Sequence, residues 1–365
     1  MQQCNKTITL RSGKTLGAGS PCFVVAEIGN NHQGDPALAA QMVHEAARAG
    51  VDAVKFQKRN TEALLTRAGR EKPYTGSNSF GPTYGEHRDA LELSVSQLAG
   101  LKELAESLGL IFFASAWDGP SLDEMLELKP ELLKISSAEL VNLPLVRKMA
   151  CSGIPLIMST GMSSMADIES ALAEVRRKHD DVVLLHCNSR YPCPEEQIGL
   201  PVMGSLAQAF DLPVGYSGHE RGMGPSVASV AMGACVVERH FTLDKTMRGT
   251  DHQVSLTPDE LALMVGMIRE VEKAMDVQGK TVFPEELAAA KKLRKSIVFS
   301  RDLPVGHVLG EADLTTKCPG DGVSPMRWDE VVGRTLRTAV RHEQQLQWEV
   351  LEPAHTSQAR TASGS

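Results

Sequence analysis

The chain has no apolar run approaching the ~20 residues that a membrane helix needs, and its N-terminal MQQCNKTITL carries no apolar signal-peptide core. Neither membrane insertion nor export is expected. No stripe or run of Lys and Arg appears and the net charge is −7, which excludes nucleic acid as an expected partner. An anionic small substrate is not excluded, because a pocket can be positive on an acidic protein. None of the seven cysteines (4, 22, 151, 187, 193, 235 and 318) belongs to a CxxC pair, and their number is odd. That argues against a disulfide framework and for a reducing, cytoplasmic setting. Neither HExxH nor a cysteine cluster is present, so the most specific sequence signs of zinc are missing.

What is present is globular. Apolar residues make up 42% and charged residues 23% of the 365, as in an ordinary soluble protein with a sizeable core. From Cys22 to about residue 278 one rhythm repeats: a short apolar strand, then a helical stretch. Eight strands are expected at 22–29, 52–57, 110–116, 132–138, 155–160, 182–187, 213–218 and 235–242. Between them, PALAAQMVHEAARAG, SVSQLAGLKELAESLG and MADIESALAEVRRKH carry apolar residues at helical spacing. Near-continuous apolar strands alternating with helices mean a parallel sheet covered by helices. Eight units predict a (β/α)8 TIM barrel; a doubly wound open sheet is the competing reading. The barrel is expected over 1–285, with a hairpin in NKTITLRSGKTLGAGS ahead of it. The stretch from Lys58 to Leu93, rich in Gly, Ser and Asn, reads as a long functional loop.

The rhythm stops after Pro284. Residues 286–295 read as a charged helical linker, and 296–353 as a small β-rich domain of short strands with Gly and Pro turns. The polar tail 354–365 is expected to be disordered.

Polar residues interrupt the strands near their C-terminal ends, the face on which a barrel carries its active site. They are Glu27, Lys55 and Gln57, Ser115, Lys134, Ser137 and Glu139, Ser159, His186 and Ser189, Ser217 and His219, and Glu238, Arg239 and His240. Singly, each has a structural explanation: a hydrogen-bonded core histidine, a paired lysine, a turn serine. Together they are harder to dismiss, since two lysines buried at one mouth cost several kcal/mol unless anions compensate. Glu27, Glu139 and Glu238 are the internal candidates, and a bound phosphate or carboxylate is the external one. His219 and His240 fall on adjacent strands at one height. Two imidazoles with open positions suit a Lewis-acidic divalent ion such as Mn, Zn or Fe. Strand alternation turns Arg239 to the barrel wall and leaves Glu238 one layer below His240, as its supporting carboxylate.

In order along the chain, AEIGNNHQGD, VKFQ, YGEHRDALELS, KISSAEL, STGM, LLHCNSRYPCP, GYSGHE, VVERHFTLDKTMRGTDH and SIVFSRDLPVGHVL resemble the sialic acid synthase family, including its legionaminate and pseudaminate branches. The resemblance implies a TIM barrel followed by an antifreeze-like SAF domain. It implies condensation of phosphoenolpyruvate with N-acetylmannosamine or its 6-phosphate. The products are N-acetylneuraminate or its 9-phosphate, and phosphate, with C–O cleavage. A 2,4-diacetamido-trideoxy-hexose is the alternative acceptor. The resemblance further implies a divalent metal on His219 and His240, manganese first, with magnesium and cobalt as alternatives. It makes Glu27, Lys55 and Lys134 catalytic and places Ser137, Ser159, Ser189 and Ser217 on phosphoenolpyruvate. Gln57, Ser115, Glu139, Tyr191 and Asp251 fall on or near the sugar. A domain-swapped homodimer is implied, each SAF domain covering its partner's barrel. One departure stands out: LTTKCPGDG has Cys318 where many bacterial members carry an arginine, with Lys317 or Arg294 as candidate substitutes. Two other functions compete. A Schiff-base aldolase would use Lys134, and a non-catalytic carbohydrate-binding protein would leave the strand-end lysines and histidines unexplained.

Overall fold

All eight apolar runs form strands in the computed structural model, which describes residues 4–277 and 279–353. After a short hairpin, β1 (Thr7–Thr9) and β2 (Thr15–Gly17), come β3 (Phe23–Gly29), β4 (Ala53–Lys58), β5 (Ile111–Ala116) and β6 (Leu133–Ile135). Then follow β7 (Leu156–Ser159), β8 (Val182–Cys187), β9 (Val214–Gly218) and β10 (Val236–His240). Each of β3 to β10 pairs in parallel with the next, and β10 returns to β3, closing the barrel. The fold is therefore a TIM barrel, and the open-sheet reading is set aside. The helices begin where the sequence supplies caps. Asp35 opens Pro36–Arg48, and Ser94 and Ser164 open Val95–Ser107 and Met165–Arg176, each accepting from a backbone N–H of the first turn.

Strand alternation divides the core in two. Val24, Ala26, Val54, Phe56 and Phe112 point outward and pack under the helices. Phe23, Val25, Ala53, Ile111, Phe113, Ile157, Val183, Leu185 and Val236 point inward. The same inward cluster contains Ile8, Leu10 and Leu16, so the β1–β2 hairpin plugs the N-terminal end of the barrel. One pleat step further along, the inward positions turn polar: Glu27, Lys55, Ser115, Lys134, Ser159, Ser217 and Glu238, all buried. The lower barrel is thus a dry core and the upper barrel a lined cavity, divided by the strand period alone.

Two expectations need correction. Strand four, read as 132–138, has only three residues. The chain leaves the sheet at Ser136 and turns through a 3-10 segment, Ser137–Glu139, because the Ser137 hydroxyl is engaged by the Gly161 amide instead of lying on a strand. The segment 58–93 is not plain loop. It folds into short helices at Thr61–Leu64, Arg67–Arg70 and Tyr84–Asp89, capped by Asn60, Thr66 and Thr83. Tyr74 and Tyr84 pack against His87 there.

A second compact unit starts at Val277. It takes in the helix Pro284–Leu293, which covers most of the segment read as a linker. It holds an antiparallel pair, β11 (Ser296–Phe299) and β12 (Leu314–Lys317), around a core of Ile297, Phe299, Leu303, Leu309, Leu336, Val340 and Leu346. The tail 354–365 lies outside the described residues. Among the described residues no helix is long and apolar enough to cross a membrane, and the seven cysteines are free thiols.

Asp313 ties the second unit together. Its carboxylate accepts from the Gly310 amide at 2.9 Å, from His307 Nε2 at 2.8 Å and from Arg301 Nη2 at 2.6 Å. The Gly310 amide first, then His307, hold its pKa well below the usual carboxylate range. A folded-state pKa below the unfolded value near 4 means the stabilisation is full above that value and is lost as pH falls below it. Asp313→Asn is expected to cost about 1–2 kcal/mol at neutral pH and to flatten the acid dependence. Hydrogen exchange of the Ser296–Phe299 amides from pH 7 to 3 measures this; an unchanged acid slope in the variant would refute it.

Candidate active site

At the centre of the polar layer lies Lys55. Its Nζ stands 2.7 Å from Glu27 Oε2 and 3.6 Å from Glu238 Oε1, and donates to Ser115 Oγ at 3.3 Å. The register that brings these together is direct: Glu27 pairs with Lys55 across β3 and β4, and with His240 across β3 and β10. Gln57 donates to Glu27 Oε1 at 2.6 Å, and Ser217 to Glu238 Oε1 at 3.4 Å. Burial pushes the Glu27 carboxyl up, against the pull of Lys55. Burial also works against the charge of Glu238, but Lys134 and Lys55 together outweigh it and hold that carboxyl down. Two carboxylates on one lysine are thus driven apart, the usual mark of an acid–base pair of groups.

Lys134 is different. It is buried, and its Nζ bonds only neutral oxygens, Ser159 Oγ at 2.6 Å and Ile135 O at 3.0 Å. Among the described residues no carboxylate lies within ion-pair distance of it, and burial lowers its pKa. Next to it is a cluster of hydroxyls and a thiol. The Gly161 amide donates to Ser137 Oγ at 3.1 Å, and Ser137 reaches Cys187 Sγ at 3.7 Å. A Cβ on Gly161 would lie under 3.0 Å from the hydroxyls of both Ser189 and Ser137. Only glycine lets these groups converge.

His219 and His240 stand above, with ring centroids 5.4 Å apart, and Tyr191 lies 3.9 Å from the first and 5.6 Å from the second. His219 Nδ1 is 2.6 Å from the carbonyl of Asn188. A carbonyl only accepts, so Nδ1 carries a proton and Nε2 is the ring atom left to face an ion. His240 Nδ1 is buried without a hydrogen-bond partner. Burial holds the His240 imidazole below its ordinary range, partly offset by Asp251. An orphaned buried nitrogen and a fixed tautomer are what an open divalent site asks of two histidines. Among the described residues no group of three or more His, Cys, Asp or Glu forms a ready-made cation cage. These two residues would hold the ion and leave the remaining positions to water and substrate oxygens.

Some residues are not where the sequence pointed. Glu238 serves Lys55 and Ser217 and makes no hydrogen bond to His240, because its side chain ends at the lysine layer. Glu139 compensates neither lysine; its carboxylate accepts from Asn142 at 2.6 Å and burial raises its pKa. Asp251 does lie by the histidines, accepting from Thr250 at 2.8 Å and sitting within the field of His240. His186 faces outward, bonded to the Ile198 carbonyl at 2.6 Å. Arg239 does serve the wall, fully buried on Glu220 at 2.9 Å. In the second unit Lys317 is engaged by Glu343, Arg294 is exposed, and Cys318 Sγ lies 3.3 Å from the Leu293 carbonyl. One further candidate at the mouth was missed. Arg59 is buried, bonded to Gln57 and to Asn30 at 3.0 Å, ion-paired with Glu92 at 3.5 Å, and stacked 4.3 Å over Trp117. It shares the odd-numbered parity of Lys55 and Gln57, and extending the alternation past the strand end would have found it.

The NeuB family model matches residues 42–280, and the SAF domain model residues 294–352. The chain belongs to the NeuB family. It is 39% identical over 347 residues to the N-acetylneuraminate-9-phosphate synthase of Homo sapiens, covering 94% of this chain and 97% of that protein. To the N,N'-diacetyllegionaminic acid synthase of Legionella pneumophila it is 37% identical over 345 residues, 93% and 97% of the two chains. The crystal structure of the N-acetylneuraminic acid synthetase of Leptospira borgpetersenii, solved with citrate, is 32% identical with a TM-score of 0.70. That match covers 79% of this chain and 96% of the other. The chain is therefore an enzyme of the sialic acid synthase kind. The NeuB match begins after β3, so the membership of Glu27 in this site rests on the barrel's closure.

The Gly161 convergence yields a direct expectation for this NeuB site. Gly161→Ala should leave the melting temperature within a few degrees and reduce kcat/KM at least 100-fold, since a methyl there displaces two hydroxyls. Steady-state kinetics beside a thermal melt check it, and a folded variant of near-normal activity would sink it.

Proposed function

We propose that the enzyme condenses phosphoenolpyruvate with N-acetylmannosamine 6-phosphate, giving N-acetylneuraminate 9-phosphate and inorganic phosphate by C–O cleavage. The observation that carries the reading is Lys134: a buried ammonium bonded only to neutral oxygens, beside Ser137, Ser189 and Gly161. Such a group calls for an anion, and the phosphate of phosphoenolpyruvate meets a lysine and several hydroxyls there. Lys55, supported by Ser115, faces the remaining charge of that substrate, with Ser159 and Ser217 in the same layer.

The acceptor lies higher, toward Tyr191, Asp251 and the histidines. A divalent ion on His219 and His240, manganese first and magnesium or cobalt otherwise, would supply Lewis-acid polarisation of the acceptor's aldehyde. Carbon 3 of phosphoenolpyruvate forms the new C–C bond, water adds at carbon 2, and the tetrahedral centre expels phosphate. Glu27, its pKa raised by burial and its carboxylate oriented by Lys55 and Gln57, is placed to take the water's proton. Holding both substrates in line replaces a two-body encounter.

Positive charge at the mouth favours a phosphorylated acceptor. Arg88 bonds the Tyr84 hydroxyl at 2.7 Å and lies over its ring. It is near enough to Arg59 to add, after burial, to what opposes the charge there. Two neighbouring guanidinium groups suit a sugar phosphate. The 37% identity to a legionaminic acid synthase supports the second reading, a 2,4-diacetamido sugar in place of the phosphorylated one. The proposal includes a homodimer in which the partner's SAF domain covers the barrel.

Phosphate release from phosphoenolpyruvate, with N-acetylmannosamine, its 6-phosphate and the diacetamido sugar in parallel, tests the reading. The 6-phosphate should give the highest kcat/KM. Arg88→Ala should raise its KM about 10- to 100-fold and leave the KM of phosphoenolpyruvate unchanged. Oxygen-18 in the bridging position should leave with phosphate. Label retained in the sugar acid overturns C–O cleavage, and no release with any acceptor overturns the synthase.

A further inference from the structure

We propose that the buried ion pair Glu220–Arg239 is a positioning device that fixes the separation of His219 and His240 from behind the barrel wall. The inference rests on the reading of those histidines as a metal site. Each member of the pair is the chain neighbour of one histidine. Glu220 follows His219 and Arg239 precedes His240. Alternation along β10 sends His240 into the cavity and Arg239 out of it, so a bond made outside the wall is transmitted to the inside through one Cα.

The backbone alone does not do this. The β9–β10 ladder runs Val237 with Tyr216, Glu238 with Ser217 and Arg239 with Gly218, and ends there. His219 and His240 lie one step beyond the last ladder pair. On its other side His219 is tied to the chain after β8, through its carbonyl to the Cys193 amide at 3.0 Å and through Nδ1 to Asn188. Toward β10 the ion pair continues where the ladder stops. Arg239 Nη1 donates to Glu220 Oε1 at 2.9 Å, to Ser226 Oγ at 2.9 Å and to the Gly222 carbonyl at 2.8 Å. Its Nη2 donates to the Glu220 carbonyl at 2.7 Å. Glu220 also accepts from Tyr216 OH at 2.8 Å and from Ser226 Oγ at 2.8 Å. The turn at 220–222 and the helix Gly224–Ala231 meet β10 on one guanidinium, and Tyr216 of β9 joins them through Glu220.

Gly218 shows that the arrangement constrains the chain. A Cβ there would lie under 3.0 Å from both carboxylate oxygens of Glu220 and from the Tyr216 ring, so only glycine lets Glu220 fold back under the strand. Stability is a weak reason for such a pair. Both side chains are fully buried, and a buried ion pair is commonly replaceable by apolar residues without loss of stability. What apolar residues do not supply is direction, which the planar fork of arginine does.

The test separates stability from geometry. Arg239→Met alone leaves a buried unpaired carboxylate, so the informative protein is the double variant Glu220→Leu/Arg239→Met in the full chain. Binding of Mn2+ to the metal-stripped enzyme, followed by the electron paramagnetic resonance of free Mn2+, is read beside a thermal melt and the KM of phosphoenolpyruvate. The expected result is a folded protein that binds Mn2+ 10- to 100-fold more weakly, with lower kcat and an unchanged phosphoenolpyruvate KM. A folded double variant binding Mn2+ within twofold of the parent overturns the proposal. If the double variant does not fold, Ser226→Ala and Tyr216→Phe, which each remove one support, should weaken Mn2+ about threefold; parental affinity in both overturns it equally. A parent that binds none of Mn2+, Mg2+ and Co2+ refutes the metal reading itself, a distinct failure.

Discussion

The ammonium of Lys55, held between Glu27 and Glu238, is the constraint on which the barrel mouth depends. A charge taken this far from water must be compensated where it stands, and the two carboxylates do so from the neighbouring strand β3 and from β10 beyond it. Their commitment to Lys55 has an effect one strand pair away. Lys134 is left with hydroxyl and carbonyl oxygens as its hydrogen-bond partners and feels Glu238 only through its field, so direct ion pairing is complete on one side of the cavity and not on the other. The apolar layer beneath makes this imbalance costly. Ile157, Val183 and Phe113 exclude water from below, and whatever balances Lys134 must come from the open end.

Much of this was legible in the sequence, for a physical reason. A parallel strand buried on both faces has no use for ionisable residues, so Lys55, Lys134 and Glu27 announce a site by interrupting apolar runs. Strand alternation then sorts them, and it placed Arg239 on the wall and His240 in the cavity. What the sequence does not carry is which carboxylate meets which lysine. That depends on stagger between strands, and the stagger sends Glu238 to Lys55 and away from His240. Glu139 misled for another reason. Strand four ends early, and a residue expected just beyond the strand end sits in a 3-10 turn bonded to Asn142. Arg59 was passed over because the strand pattern was followed only as far as its apolar residues.

The second unit obeys different rules. Its regular strands are four residues long, and its core is gathered from isolated bridges and turns around Ile297, Phe299 and Leu336. Hydrophobic periodicity has little to act on in such short pieces, so composition and turn residues were what could be read. Local polar ties such as Asp313 then take over work that a longer sheet would do with its ladder. Lys317, bound to Glu343, is committed within the unit in the same way.

The β1–β2 hairpin has a consequence for traffic. By filling the lower end with Ile8, Leu10 and Leu16, it makes the barrel a vessel with a single opening. The Lys134 level lies nearer its floor and the histidines nearer its rim. Where two molecules occupy those levels together, the deeper one enters first and the upper one stands in its exit. A closed floor thereby turns a difference in depth into a sequence in time.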